Sequence, residues 1–193
     1  MFEDGFARTE AVAMPTLLEK LPPARPAELH AATIAKEVSG NHILATTVGR
    51  GQAAITLAET RPDAEVNLWF HDQYQQRLLI SAVQDFPAQL SLYCEADTPV
   101  SAHEGQYDLA VIPVFKSGEA EFTRDVLQAA FQALKIGGQL VTAIDNPQDK
   151  WLRSHLAATG ETVRVRPDIT ENPKTVCYIV RKTQPLKKVK IGR

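Results

Sequence analysis

The sequence has few of the features that mark disulfide-rich, metal-binding or membrane proteins. Only two cysteines occur in its 193 residues, Cys94 and Cys177, and neither has a Cys or His neighbour at metal-ligand spacing. No apolar run approaches the ~18 residues of a membrane span, and the N-terminus is acidic where a signal peptide would be basic. We therefore expect two core cysteines, no metal site and no membrane partner, in a reducing compartment, the cytoplasm.

Several catalytic motifs are missing as well. The chain has no G-x-S-x-G elbow and no P-loop lysine, and Ala54 stands at the third glycine position of G-x-G-x-x-G. A nicotinamide dinucleotide site stays open, because alanine at that position still lets a helix pack on a strand, but its ribose-binding acid is also missing. The formal net charge is only −2, so bulk charge favours neither nucleic acid nor another charged partner.

What the sequence does contain is a regular alternation of strand and helix signals. The predicted strands are His42–Val48, Glu65–Phe70, Gln89–Cys94, Leu109–Val114, Gln139–Asp145, Thr162–Asp168 and Lys174–Lys182. The predicted helices are one after Pro26 that ends at Gly40, then Gln52–Thr60, Asp72–Phe86, Gly118–Gly138 with Lys135 in its last turn, and a short one in 148–160. This order predicts a Rossmann-like α/β fold: a seven-stranded, mostly parallel sheet with a C-terminal antiparallel hairpin and helices on both faces.

The sequence also predicts how the first helix and the two tryptophans pack. The first helix is expected to bury a face that includes Leu29, Ala32, Ile34 and Val38. Both tryptophans are interpreted as structural, with Trp69 on a strand and Trp151 packing a short helix against the sheet.

The domain boundaries follow from composition. Residues 1–26 hold four of the twelve prolines and are interpreted as an N-terminal arm. Residues 27–182 form the domain, and residues 183–193 a basic tail or linker. The last thirteen residues contain six Lys or Arg and no acid. They are either a solvated tail or a linker or phosphate-contacting arm.

The loop after the first predicted strand is the first candidate ligand site, because ligands of such sheets bind beyond the carboxyl ends of the strands. Gly49 and Gly51 allow close approach of the backbone, and the amides that open the next helix offer donors and a partial positive charge. The same glycines also suit a tight turn with nothing bound.

Four stretches, in order, resemble the class I S-adenosylmethionine-dependent methyltransferases. HILATTVGRGQAAITLAETRPDAEV is similar to the first motif of that family, an acid-x-Gly-x-Gly-x-Gly loop that cradles the methionine part of the cofactor. YDLAVIPVF resembles the fourth-strand motif, ALKIGGQLV the loop and fifth strand that follow, and VRVRPDITENPKTVCYIV the final hairpin. The resemblance covers Ala27 to Lys182 and implies the fold already predicted, with S-adenosylmethionine as cofactor.

Within the family, the chain resembles the "methyltransferase small" group. That group includes ribosomal RNA guanine-N2 methyltransferases built from two such domains, of which the N-terminal copy has lost its catalytic motif. The resemblance therefore implies a role in rRNA processing and RNA binding, with ribosomal RNA and a second methyltransferase domain or another copy of the chain as partners.

The resemblance also implies cofactor contacts at four positions. Gly49 and Gly51 match the loop of the first motif. Asp72 lies just beyond the second strand, where it would contact the ribose or cap the next helix. Asp97 follows the third strand, where it would face the adenine amino group or be an ordinary loop residue.

The fourth-strand motif implies contacts with a substrate base, and no catalytic residue is assigned. The backbone of Pro113 would contact the target, Phe115 would stack on the base or belong to the core, and Lys116 would contact a phosphate or be solvated. Asp145 would serve as a general base or as part of a turn.

Three apolar residues depart from the pattern of the family. Ala45 stands for the acid of the first motif, Phe70 for the ribose-binding acid, and Ile112 for the polar side chain that holds the target nitrogen; Thr47 also replaces the first glycine. Two hypotheses follow. The chain is either an RNA methyltransferase with degenerate motifs or a non-catalytic domain that serves RNA binding or supports a catalytic partner domain.

Overall fold

The computed structural model describes residues 17–83, 85–94 and 103–185, and the alternation of strands and helices that it contains matches the predicted order. The strands are β1 (His42–Thr46), β2 (Glu65–Trp69), β3 (Leu90–Tyr93), β4 (Tyr107–Val114), β5 (Leu134–Ile144), β6 (Val163–Pro167) and β7 (Val176–Arg181). The α-helices are α1 (Pro26–Lys36), α2 (Gln52–Thr60), α3 (Gln73–Ala82), α4 (Ala120–Ala133) and α5 (Trp151–Ala157), and a single 3-10 turn, Leu17–Lys20, precedes them.

The strands form one sheet in the order β3-β2-β1-β4-β5-β7-β6. The first five strands are mutually parallel, and β7 runs antiparallel to both β5 and β6. The predicted fold class is therefore confirmed. From β1 the chain adds β2 and β3 on one side, and it then returns to add β4 and β5 on the other side of β1. The strand order therefore reverses between β1 and β4, and folds of this kind bind their ligands at the carboxyl ends of the strands beside such a reversal.

Helices cover both faces of the sheet, and each face has its own apolar core. Alternate residues of a strand point to opposite faces. Ile43 and Ala45 accordingly pack into the core under α1 and α2, whereas Leu44 and Ile112 pack into the core under α4 and α5. No helix in the described part of the chain is long and apolar enough to cross a membrane.

The predicted end of the long helix is wrong. Helix α4 ends at Ala133, and Leu134 is already extended (φ −69°, ψ 141°) and pairs with Tyr107 of β4. Leu134 is fully buried, so its place in the sheet core ends the helix before the glycines are reached. Lys135 thus lies in β5, where its ammonium contacts the Asp108 carboxylate at 2.8 Å, and not in a last helical turn.

The buried face of α1 also differs from the prediction. Ala32, Ile34 and Val38 are buried as expected, but Leu29 is 53% exposed. The helix instead turns Glu28, which has no exposed surface, toward the protein interior. Hydrogen bonds from the loop after β1 to this carboxyl group hold the helix in this rotation.

The two tryptophans and the two cysteines have different environments. Trp69 is buried in β2, as predicted, but Trp151 is 39% exposed at the start of α5, so its predicted packing against the sheet is wrong. Cys177 is fully buried, and burial raises the pKa of its thiol to about 12. Cys94 is half-buried just after β3, and both thiols are free.

Candidate functional site

The loop between β1 and α2 lies at the carboxyl edge of the sheet, as the sequence predicts. Gly51 ends it with a left-handed backbone (φ 75°) and serves as the N-cap residue of α2. A β-carbon on Gly51 would clash with Cδ2 of the buried Leu68 on β2. Glycine at this position is therefore required both by the turn and by the close approach of the loop to the strand.

The buried carboxylate of Glu28 lies directly against this loop. Its Oε1 accepts hydrogen bonds from the Val48 N–H at 2.9 Å and from the Thr47 hydroxyl, and its Oε2 accepts one from the Ala53 N–H at 3.3 Å. Burial raises the pKa of Glu28, while these hydrogen bonds act in the opposite direction. A buried carboxyl group thus lies next to the N-terminus of α2, where its oxygens accept hydrogen bonds from backbone N–H groups that have no partner within the helix.

Two polar side chains satisfy the remaining donors of the loop. The Thr47 hydroxyl oxygen accepts hydrogen bonds from the Gly49 N–H at 2.9 Å and the Gly51 N–H at 2.8 Å. The Gln52 Oε1 accepts one from the Arg50 N–H at 2.9 Å, and its amide nitrogen donates to the carbonyl oxygen of Pro22 at 3.0 Å. The amides of residues 48–51 and 53 therefore all donate to side chains of this chain.

The three apolar positions that depart from the family pattern are all buried. Ala45 is fully buried, and Phe70 and Ile112 are each 1% exposed. Ala45 and Phe70 belong to the core under α1 and α2, and Ile112 to the core under α4. None of the three side chains has an atom that can accept a hydrogen bond from a ligand.

Asp72 caps a helix. Its Oδ1 accepts a hydrogen bond from the Tyr74 N–H at 2.8 Å, so it is the N-cap residue of α3, which confirms one of its two predicted roles. The hydrogen bond to Tyr74 does not test the predicted contact of Asp72 with a ribose, which stays a prediction. Asp97 lies outside the described residues.

The predicted substrate residues lie around the carboxyl end of β4. Pro113 is buried and Phe115 is half-buried, and the guanidinium of Arg25 covers the Phe115 ring at 4.3 Å from its centroid. Lys116 is exposed, and its backbone N–H donates to Asp145 Oδ1 at 2.7 Å. Asp145 therefore holds the turn after β4, and one face of Phe115 is already occupied by a cation.

A cavity of about 100 Å³ lies at this edge among the described residues. Ile112, Pro113 and Phe115 line it together with His71 and Phe122, whose rings meet edge to face with centroids 5.0 Å apart. Pockets for small molecules and cofactors usually measure about 300–1,000 Å³. Among the described residues, the occupied loop donors and the apolar residues at positions 45, 70 and 112 leave few polar groups for S-adenosylmethionine, and this cavity lies below that range.

Sequence reasoning missed Glu28, the residue with the most contacts to the loop. A signal was available, because Glu28 shares one helical face with Ala31, Ala32 and Ala35, at the spacing i, i+3, i+4 and i+7. An acid on a face made of small residues is expected to be buried and to need partners. Its partner, however, is a loop twenty residues further along the chain, which the pattern alone does not identify.

Comparisons with known proteins give no match by sequence and clear matches by structure. No protein-family model and no curated protein matches the chain. Among solved structures, the T. thermophilus 16S rRNA N2 G1207 methyltransferase RsmC, in complex with AdoMet and guanosine, is 20% identical with a TM-score of 0.62. That match covers 84% of this chain but only 40% of RsmC.

Two further matches span most of both chains. A predicted O-methyltransferase from Agrobacterium tumefaciens is 16% identical with a TM-score of 0.64, covering 82% of this chain and 81% of that one. The precorrin-6Y C5,15-methyltransferase from Geobacter metallireducens is 12% identical with a TM-score of 0.64, covering 85% and 95%. At such identities the likeness concerns the fold. The chain has the fold of the class I S-adenosylmethionine-dependent methyltransferases.

Proposed function

We propose that this chain is a methyltransferase-fold domain that transfers no methyl group itself and instead serves RNA binding or supports a catalytic partner domain. The observation that carries the proposal is the internal occupation of the cofactor loop. Glu28, Thr47 and Gln52 accept the hydrogen bonds of its amides, so a cofactor would have to displace a buried carboxylate to reach them. Removing those acceptors is costly, because buried and part-buried donors would lose their partners.

The role of Glu28 differs from that of the acid that is missing at Ala45. An acid of the first motif acts on the cofactor and must therefore face the ligand. The Glu28 carboxylate has no exposed surface and directs both oxygens to the protein's own loop. It supports the loop as an internal ligand and supplies no group for an external one.

Two observations support RNA as the partner. RsmC, which has the same fold, is named for its action on 16S rRNA. In this chain the segment that follows Pro185 carries Lys187, Lys188, Lys190 and Arg193 and no acid, a composition that favours phosphate contacts. A catalytic partner domain, in a longer chain or in a separate protein, would supply the methyl transfer.

A working RNA methyltransferase is the second candidate. It is favoured by the loop geometry, since Gly51 keeps the left-handed turn into α2, and by Asp72, an exposed acid just beyond the carboxyl end of β2. In this candidate Asp72 contacts the ribose of S-adenosylmethionine, Asp97 faces the adenine, and Phe115 stacks on the base. Binding would require the loop side chains to rearrange.

Calorimetric titration with S-adenosylmethionine and S-adenosylhomocysteine separates the two candidates. We expect no binding heat from the full chain at millimolar ligand, because the loop donors are occupied and the cavity at the sheet edge is small. Circular dichroism establishes that the titrated protein is folded.

A dissociation constant in the low micromolar range would contradict the non-catalytic proposal. The variants Asp72→Ser and Asp72→Ala then test the second candidate. Serine preserves the helix cap, whereas alanine removes it at a cost of about 1 kcal/mol in stability. Equal weakening of binding by both variants would support a ribose contact, and weakening by alanine alone would assign the effect to the cap.

A further inference from the structure

We propose that the groove between α4 and α5 binds single-stranded RNA, with Trp151 and His155 as the stacking surface and Arg124 as a phosphate contact. This inference rests on the proposed RNA-binding role and assigns it a site. The groove lies on the face of the sheet opposite the loop held by Glu28, so it is separate from the candidate cofactor region.

The groove is large enough for a nucleotide and combines an apolar floor with a polar rim. Its volume is about 490 Å³, within the range of small-molecule pockets. Leu127 and Phe131 of α4 and Leu156 of α5 form the floor, while Arg124 and His155 contribute to the rim. Such a surface offers apolar contact to a base and charge to its phosphate.

An aromatic pair includes one residue of the groove: the half-buried His155 lines it, and the more exposed Trp151 stacks on His155. Trp151 is 39% exposed and stacks on His155, with ring centroids 5.4 Å apart and planes inclined by only 5°. The pair occupies positions i and i+4 of α5, so the helix holds both rings on one side. A flat, exposed aromatic surface is the feature on which successive bases of single strands stack.

The charge around the groove complements a phosphate backbone. Arg124 lines the groove and is exposed, and none of the described residues that line the groove is acidic. Lys150 and Arg153, close to Trp151 in sequence, are also exposed. Desolvation, followed by the charge of Arg124, lowers the pKa of His155. The imidazole is therefore neutral at physiological pH and acts as a stacking surface, while Arg124 carries the charge.

Two acids that lie close in sequence to α5 and to the lining residue Gly160 are engaged within the protein. Asp149 Oδ2 accepts hydrogen bonds from the Leu152 N–H at 3.1 Å and from the Tyr178 hydroxyl at 3.3 Å. Glu161 accepts hydrogen bonds from the Thr183 N–H at 2.7 Å and the Gln184 N–H at 3.2 Å. On α4, Asp125 is the residue next to Arg124 but does not line the groove.

The basic segment of the sequence continues from the same place. Gln184 lines the groove, and Glu161 fixes it there. The eight residues after Pro185 contain four Lys or Arg and no acid. The sequence that follows the groove-lining Gln184 is therefore basic in composition.

Fluorescence anisotropy of the full chain with a fluorescein-labelled 15-nucleotide oligo(U) and with an RNA duplex tests the site. Trp151→Ala is expected to weaken oligo(U) binding by about tenfold, as removal of a base-stacking aromatic does. Arg124→Ala is expected to reduce the slope of log affinity against log salt by about 0.7, as loss of one phosphate contact does on single strands.

Matched controls come from α3, where Tyr74→Ala and Arg77→Ala remove the same kinds of exposed side chain; both are expected to bind like wild type. Tryptophan fluorescence adds a direct readout, because Trp69 is buried and Trp151 is exposed. Oligo(U) is expected to quench the emission of wild type, and Trp151→Phe is expected to bind with little quenching, since phenylalanine still stacks.

The outcomes separate this inference from the proposed function. Binding of oligo(U) by wild type with an unchanged dissociation constant for Trp151→Ala overturns the groove but keeps the RNA-binding role. Equal affinity for oligo(U) and duplex overturns base stacking, because it indicates phosphate contacts alone. A wild-type chain that binds neither RNA overturns both the groove and the RNA-binding role, and leaves this face to a protein partner.

Discussion

Replacing Glu28 with alanine is expected to lower the free energy of unfolding by about 3–5 kcal/mol. The substitution leaves three donors without their acceptor: the part-buried Thr47 hydroxyl and Val48 N–H, and the buried Ala53 N–H. Each orphaned buried donor costs about 1–3 kcal/mol, although water that enters the space offsets part of this. Urea denaturation followed by circular dichroism measures the change.

The control is Glu28→Gln, which keeps the shape and one carbonyl oxygen but turns an NH₂ group toward a donor. We expect its free energy of unfolding to be lower than that of wild type by about 1–3 kcal/mol, a smaller loss than in Glu28→Ala. An alanine variant within 1 kcal/mol of wild type would mean that the loop satisfies its donors in another way, and would remove the main support for the non-catalytic proposal.

The pH dependence supplies a second readout of the same carboxyl. Burial raises the pKa of Glu28 in the folded protein, so between the ordinary and the raised pKa the folded state holds a proton that the unfolded chain has lost. The contribution of this group to stability is therefore fully present below its ordinary pKa and falls as pH rises through the raised one. Glu28→Gln does not titrate, so the stability difference between wild type and this variant should shrink as pH rises.

Gly51→Ala is expected to lower the free energy of unfolding by about 3 kcal/mol. The left-handed backbone at φ 75° costs an L-residue about 1–2 kcal/mol. The new methyl group would also clash with Leu68, and overpacking of a buried side chain adds about 1–3 kcal/mol. Thermal or urea unfolding of the variant gives the sum of the two effects.

Gly105→Ala is the matched control for the backbone effect. Gly105 has a similar left-handed backbone, at φ 69°, but a β-carbon there meets no atom within 4 Å. We expect a loss of only about 1 kcal/mol, so the difference between the two variants measures the contact with Leu68. Equal losses would mean that Leu68 moves aside without cost and that the loop does not need its close approach to β2.

The expected loss of stability in Gly51→Ala also limits what can be learned about ligand binding from substitutions in the glycine loop. A variant at Gly51 that bound no cofactor would have lost part of its fold as well as any ligand contact. Substitutions at Asp72 report on ligand contacts more directly, because Asp72 is exposed and because serine at this position preserves the helix cap.

The fold was predictable from sequence because its signals are local. Helix α2 was predicted at Gln52–Thr60, where the structure has it, since an alanine-rich run follows glycine and precedes a charged turn. The left-handed Gly51 and the capping Asp72 are equally local features. The mostly parallel sheet with a closing antiparallel hairpin follows from the alternation of elements, whereas the strand order was not predicted.

The contacts that determine the candidate site were not predictable, because they join distant parts of the chain. Glu28 meets a loop about twenty residues away, and Arg25 covers a ring ninety residues away. The end of α4 depends on the pairing of Leu134 with β4. The exposure of Trp151 depends on which side of the seven-residue helix α5 contacts the sheet. Each of these depends on tertiary packing that competes with local preference.

The internal occupation of the glycine loop also bears on protein turnover in the cell. An enzyme that closes its loop around a bound molecule gains folding free energy from that molecule, in proportion to the logarithm of its concentration. Here the carboxylate that holds the loop is covalently part of the chain, so its effective concentration never changes. If, as proposed, the domain binds no methyl donor, its abundance should be independent of the methyl-donor supply, and it would persist through starvation that exposes ligand-dependent enzymes to proteolysis.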